Sequence, residues 1–164
     1  MKRFYSVTTP IYYVNAEPHI GHTYTTIVVD TLARYHRMAG EETFFLTGTD
    51  EHGEKVAEVA AQRGVSPREF VTQISGTFRS TWEELGMSFD HFIRTTDPHH
   101  VGAVQKILQA VYDAGEIEFR EYEGLYCVGC ERFLTERDMV VGLCRDHERP
   151  PERRAESNYF FKMS

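Results

Sequence analysis

Residues 3–53 read RFYSVTTPIYYVNAEPHIGHTYTTIVVDTLARYHRMAGEETFFLTGTDEHG, and this stretch decides the fold. Arg3 to Thr8 is rich in β-branched and aromatic residues and stops before Pro10, which predicts a strand. Pro10, Asn15 and Pro18 mark a loop from Thr9 to about Gly21. His22 to Ala39 predicts a helix: Val28, Leu32, Tyr35 and Ala39 share one face of a 3.6-residue period, and Gly40 suits the position after its end. Glu42 to Gly48 is nearly continuous in apolar character, as in a strand buried on both faces. Strand, helix and strand in this order form a βαβ unit, right-handed by default, with its loops gathered at one edge of a parallel sheet.

The pattern continues outward. Gly53–Arg63 and Pro67–Leu85 predict helices, the second with Ser66 as N-cap and Pro67 in its first turn. His91–Thr95 predicts a short strand, and Pro98–Ala114 a helix capped by Asp97 and ended by Gly115. Residues 1–115 therefore read as an α/β domain of the doubly wound kind. The character changes after Gly115. Residues 116–126 alternate, 127–150 are turn-rich and hold the cysteines, and Asn158–Ser164 resembles a strand cut off midway. A domain boundary is placed near 115, giving segments 1–115 and 116–164.

The 164 residues carry 18 Lys+Arg against 25 Asp+Glu, a formal net charge of −7. That balance argues against holding nucleic acid by charge alone. With 41% hydrophobic and 13% aromatic residues, a sizeable core is available and disorder is excluded. No apolar run reaches the roughly 18 residues of a membrane span. Met1-Lys2-Arg3-Phe4-Tyr5-Ser6 lacks the apolar segment of a secretory signal, so the chain reads as cytoplasmic.

All three cysteines fall in one stretch: Cys127-Val-Gly-Cys130, then Cys144-Arg-Asp-His147. Two such turns about a dozen residues apart have the spacing of zinc ligands. Each turn folds two donors toward one point, and Gly129 lets backbone amides approach a thiolate. Four protein ligands close a tetrahedral site and leave no position for water, so the expected Zn²⁺ is structural. It would supply folding free energy that so short a segment draws only weakly from its own core.

Pro18-His19-Ile20-Gly21-His22 lies between the first strand and the first helix, at the edge where α/β folds bind nucleotides. Free N–H groups at a helix start favour an anion there, and Gly21 allows close backbone approach. The imidazoles of His19 and His22 can donate hydrogen bonds to phosphate as charge develops. Asp50-Glu51-His52-Gly53 follows the second strand at the same sheet edge. Asp50 suits a substrate ammonium, or a helix cap, or both. Ile11, Tyr12 and Tyr13 would wall a small apolar pocket, or simply pack in the core.

Together these residues resemble methionyl-tRNA synthetases, over essentially the whole chain. Pro10-Ile11-Tyr12-Tyr13-Val14-Asn15 leads into His19-Ile20-Gly21-His22, which is similar to the class I HIGH signature. Thr49-Asp50-Glu51-His52-Gly53 resembles the next active-site loop, and Gly124 to Cys130 with Cys144 and His147 resembles the zinc knuckle of the connective peptide. The resemblance implies the first half of a Rossmann-type domain over 1–115, with His19, Gly21 and His22 on ATP, which comes with Mg²⁺. It implies His19 and His22 as the catalytic pair, and Ile11, Tyr13 and Asp50 on L-methionine. It implies methionyl-adenylate formation and transfer to tRNA(Met). His52 is read as structural, because a carboxylate nucleophile needs no general base.

The family completes its site with a second Rossmann half carrying a KMSKS loop. Lys162-Met163-Ser164 comes too soon after the knuckle to be that loop, so the chain is expected to be a fragment, inactive in aminoacylation alone. Two other classes fit less of the sequence. A small H-x-G-H nucleotidyltransferase leaves Tyr12-Tyr13 and the cysteines unexplained. A non-catalytic synthetase-like module would bind a partner or an RNA end through its zinc knuckle, and a reading frame that continues to a KMSKS-like loop would remove it.

Overall fold

The computed structural model describes residues 3–163. Met1, Lys2 and Ser164, on which the readings of both termini partly rest, lie outside the described residues. The chain forms two compact units, dividing between Gly102 and Ala103.

The first unit is built on a parallel sheet. Strand β1 (Phe4–Thr8) is followed by a two-residue strand β2 (Tyr12–Tyr13), helix α1 (Ile20–Met38) and strand β3 (Glu42–Asp50). Helices α2 (Glu54–Gln62) and α3 (Pro67–Glu84) lead to β4 (His91–Arg94), and α4 (Pro98–Asp113) follows. β3 is central. Thr8 and His91 both pair with Leu46, and Tyr12 and Arg94 both pair with Thr49, so β1 and β2 share one side of β3 and β4 takes the other. β1 and β2 are in effect one edge interrupted at Thr9–Ile11, where Pro10 has no N–H for the ladder. The loop expected from Thr9 to Gly21 therefore contains a short strand at Tyr12–Tyr13.

Side chains alternate across a strand, so residues 45, 47 and 49 share a face. Phe45 packs on Val29 and Ala33 of α1, and Thr49 bonds Ser75 of α3. Both helices therefore cover the same face, as expected when successive right-handed crossovers move one way across a sheet. Val56, Ala60, Phe70, Ile74, Phe78, Trp82 and Phe92 form the main core beneath α2 and α3. Phe44 on the opposite face is 39% exposed and its neighbour Phe4 67%. The expected burial of β3 on both faces is corrected: among the described residues of this unit, α1, α2 and α3 all lie to one side.

α1 also differs from its expected face. Val28, Leu32, Tyr35 and Ala39 are exposed, while Thr26, Val29, Asp30 and Ala33 are buried. An apolar template passes over Thr26 and Asp30, which are buried because each is hydrogen-bonded. Asp30 accepts from Ser88 N and Oγ and from Arg34 Nε, each at 2.6 Å. Those bonds tie α1 to the turn before β4.

In the second unit, β5 (Ile117–Cys127) pairs antiparallel with β9 (Glu152–Phe161) over ten residues. β9 starts earlier than the strand expected at Asn158. Alternation puts Phe119 against Tyr159, with ring centroids 5.0 Å apart. Between them lie β6 (Arg132–Leu134), β7 (Met139–Val140) and β8 (Leu143–Cys144), short strands joined by turns.

Candidate functional site

The first candidate site is the start of α1. His19 is the N-cap, three residues before the expected helix start, with extended backbone (φ −132°, ψ 173°). Its Nδ1 accepts from Gly21 N–H at 3.1 Å, and His22 Nδ1 accepts from His19 N–H at 3.3 Å. A side-chain acceptor on an otherwise orphaned N–H is what a helix start requires. Imidazole here replaces the usual hydroxyl or carboxylate. The exchange fixes both tautomers: with Nδ1 accepting, each neutral ring carries its proton on Nε2, a donor free to turn outward. The rings stack, centroids 3.7 Å apart.

His22 rests on an aromatic wall, 4.8 Å from the Tyr12 ring and 5.1 Å from Phe78. Burial, and then the neighbouring His19, push its pKa below the usual histidine value. Tyr12 is buried, and its hydroxyl lies 2.7 Å from Thr26 Oγ1 and donates to His22 O at 3.3 Å. Tyr12 thus belongs to the core and backs His22. Ile11 is 44% exposed, and half-buried Tyr13 packs against the edge of the same core.

β2 places this edge beside the end of β3. Tyr13 pairs with Asp50, and Val14 N–H donates to Asp50 O at 3.3 Å. Asp50 is half-buried at the strand terminus. The next residue was not singled out in the sequence. Glu51 is buried, its carboxylate fully, and Arg94 grips both its oxygens: Nε to Oε1 at 2.7 Å and Nη2 to Oε2 at 2.9 Å. Thr49 Oγ1 donates to Oε1, and Thr96 Oγ1 donates to Oε2. Burial pushes the Glu51 carboxyl up, but the bonds from Arg94, Thr96 and Thr49 outweigh it and hold the group below the ordinary range. Thr95 Oγ1 accepts from Glu51 N–H at 2.9 Å and lies 3.2 Å from His52 Nδ1, which ties His52 into the same structure. A basic residue on the neighbouring strand end was the one signal for the Glu51 pair, and 43 residues separate the partners.

The second candidate site is in the second unit. The donor atoms of Cys127, Cys130, Cys144 and His147 all lie within 4.8 Å of one another. Cys130 Sγ is 3.5 Å from Cys144 Sγ and 3.2 Å from His147 Nδ1, and His147 Nδ1 is 3.9 Å from both Cys127 Sγ and Cys144 Sγ. Ligands on one tetrahedral zinc stand roughly 3.5–3.8 Å apart, given Zn–S near 2.3 Å and Zn–N near 2.0 Å. The four donors therefore fit that ion.

The local backbone explains the convergence. The N–H groups of Cys130 and Gly129 point at Cys127 Sγ, and those of Asp146 and His147 at Cys144 Sγ. A Cβ on Gly129 would sit 2.5 Å from the His147 ring, so only glycine lets the imidazole close the set. Glu131 (φ 53°) and Glu148 (φ 50°) each turn the chain back after a ligand pair. The amides lower the Cys127 thiol, and His147 lowers Cys144. Burial, with Cys144 and Cys127 alongside, pushes Cys130 up to about 12. Three sulfurs and an imidazole at this spacing make a donor set that could hold a metal ion.

A cleft of about 770 Å³ in the second unit is lined by Leu108, Tyr112, Ile117 and Tyr159 together with Gln105, Lys106 and Gln109. Among the described residues, no helix is long and apolar enough to cross a membrane.

Residues 5–164 match the family described as tRNA synthetases class I (M). The chain is 50% identical over 163 residues to the methionine–tRNA ligase of Clostridium perfringens, covering 99% of this chain and 25% of that protein. It superposes on Mycobacterium tuberculosis methionyl-tRNA synthetase in complex with methionyl-adenylate with a TM-score of 0.88 and 42% identity, covering 98% of this chain and 32% of that one. The Agrobacterium radiobacter K84 agnB2 LeuRS–tRNA–LeuAMS complex, 23% identical with a TM-score of 0.79, shares the fold alone. The chain thus spans about a quarter of the length of the curated relatives it matches.

Proposed function

The chain belongs to the class I tRNA synthetase (M) family, and on that premise we propose that it supplies the HIGH half of the active site of a methionine–tRNA ligase. The reaction so proposed has two steps. The methionine carboxylate attacks the α-phosphorus of ATP and pyrophosphate leaves. A ribose hydroxyl of the terminal adenosine of tRNA(Met) then attacks the methionyl carbonyl, forming an ester, and AMP leaves.

The observation that carries this reading is the paired histidine cap. His19 and His22 present two Nε2–H donors at the positive end of α1 while their Nδ1 atoms serve the backbone. Donors held in place before the reaction stabilise the charge that builds on the phosphates, with no reorganisation at the moment of transfer. Gly21 belongs to the same turn: its N–H is spent on His19 Nδ1, and the absence of a Cβ makes room for the His19 ring that lies against it. Mg²⁺, arriving with ATP, neutralises phosphate charge. Asp50 takes the methionine ammonium, and Ile11 and Tyr13 offer apolar surface to its side chain. Binding and orientation are the main tasks of these residues, because the attacking carboxylate is already a nucleophile.

Zn²⁺ held by Cys127, Cys130, Cys144 and His147 is structural, since four protein donors leave no open position. Functionally we divide the chain at Gly115, where the last helix ends in a left-handed turn: residues 1–115 hold the nucleotide and methionine groups, and 116–164 a zinc-bearing connective insertion. The working compartment is the cytoplasm.

The test is methionine-dependent ATP–pyrophosphate exchange by protein expressed from the complete reading frame. His19→Asn or His22→Asn is expected to lower the exchange rate about 100- to 1,000-fold. Exchange that ignores methionine, or is untouched by both substitutions, overturns the reading.

A further inference from the structure

Glu51 has no bonding capacity left for a ligand. A carboxylate offers about four acceptor positions. Two take the Arg94 fork, one Thr49 and one Thr96, while the Glu51 N–H is held by Thr95. Thr49 is itself 2.8 Å from Ser75 Oγ, and Arg94 Nη2 donates to Thr72 Oγ1 at 3.1 Å. These bonds join the ends of β3 and β4 to α3. Asp50 stands directly before Glu51, and its own carbonyl is held on the far side by Val14 N–H.

A buried ion pair is weak ground for stability, because apolar residues of similar volume often do as well. What the planar guanidinium adds is direction: two parallel bonds fix the orientation of the Glu51 side chain and of the peptide that precedes it. A carboxylate that must meet a substrate ammonium tolerates an error of only about 0.5 Å.

We propose that Glu51 and Arg94 are positioning residues, a clamp that sets the place of the Asp50 carboxylate and thereby the affinity for the amino-acid substrate. This rests on the reading of Asp50 as the ammonium partner. The clamp acts at the strand ends, whereas the phosphate donors stand at the start of α1. It therefore governs the KM for methionine and leaves the KM for ATP in place.

The experiment uses protein from the complete reading frame, with exchange measured as methionine and ATP are varied in turn. Glu51→Gln keeps the shape and removes the charge, and Arg94→Lys keeps the charge and removes the fork. Each is expected to raise the KM for methionine at least fivefold and to change the KM for ATP less than twofold. Asp50→Asn is the control on the premise. If Asp50→Asn leaves the methionine KM unchanged, or the unaltered protein shows no exchange, the reading of the site fails and the clamp falls with it. If Asp50→Asn raises that KM while Glu51→Gln and Arg94→Lys both change it less than fivefold, the clamp alone is overturned. Parallel rises in both KM values with a lowered Tm also overturn it, since general loosening would then explain the effect.

Discussion

His19 and His22 cap one helix for each other: His22 Nδ1 accepts the N–H of His19, His19 Nδ1 accepts that of Gly21, and the two rings stack 3.7 Å apart. His22, so placed at the positive end of a helix and partly buried, resists protonation.

One consequence is a pH dependence of stability. The pKa of His22 lies below the ordinary histidine value of about 6.5, through burial and then His19. As pH falls through about 6.5, the unfolded chain takes up the proton first, so this contribution to stability is lost on the acid side. Denaturation at pH 7.5 and 5.5 is expected to show a smaller acid loss in His22→Asn than in the unaltered chain. Equal losses would refute the assignment.

A second acid transition belongs to the carboxylates. Glu51 and Asp30 both have lowered pKa values, because bonds from Arg94, Thr96 and Thr49, and from Ser88 and Arg34, outweigh burial. Their contributions are present above the unfolded values near 4.5 and 3.8, and disappear as pH drops through the lowered ones. Arg94→Ala leaves the Glu51 carboxylate buried without its cation, at a cost of about 3 kcal/mol, the low end for a broken buried pair because Arg94 is partly exposed. Urea denaturation at pH 7 measures it, and a loss within about 0.5 kcal/mol would mean the pair is dispensable.

The zinc reading makes a steric prediction. Gly129→Ala would put a methyl 2.5 Å from the His147 ring. Elemental analysis is expected to find about one zinc per chain in the unaltered protein, as one Cys₃His site requires, and less than half of that in the variant. Full occupancy in Gly129→Ala would show that His147 is not a ligand.

Two glycines provide opposite outcomes. A Cβ at Gly48 would lie 1.9 Å from the Ile93 carbonyl oxygen on β4, so Gly48→Ala must force the two strands apart. A loss of about 2 kcal/mol or more is expected, at the upper range of overpacking. Gly76 is inside α3 with nothing within 4 Å of its would-be Cβ. Gly76→Ala is expected to stabilise by about 0.5–1 kcal/mol, through backbone entropy and helix propensity. Thermal or urea unfolding of both variants distinguishes them, and a Gly48→Ala chain as stable as the original would contradict the strand spacing.

Much of this was legible in residues near one another in sequence. The turns Cys127–Cys130 and Cys144–His147 bring their donors together by local geometry, and the two turns do meet. The order of strands and helices followed from periodicity and from Ser66, Gly40 and Gly115 as end signals. Tyr12 was ambiguous because an aromatic residue at a strand edge serves a core or a pocket equally well. The folded chain decided that it stacks on Phe78 as a buried core residue, while Tyr13 stays half-buried at that core's edge.

The sequence by itself determined the α/β alternation, the place of the paired histidines at a helix start and the spacing of the four metal donors. Each of these is written within a few residues or one repeating period. Tertiary structure alone decided which face of α1 and which face of β3 are covered, and that Arg94 finds Glu51 and Ser88 finds Asp30 across 43 and 58 residues. Such pairs leave no periodic trace. Whether a charged side chain is buried depends on whether the folded chain brings it a partner, and only the packed arrangement supplies one.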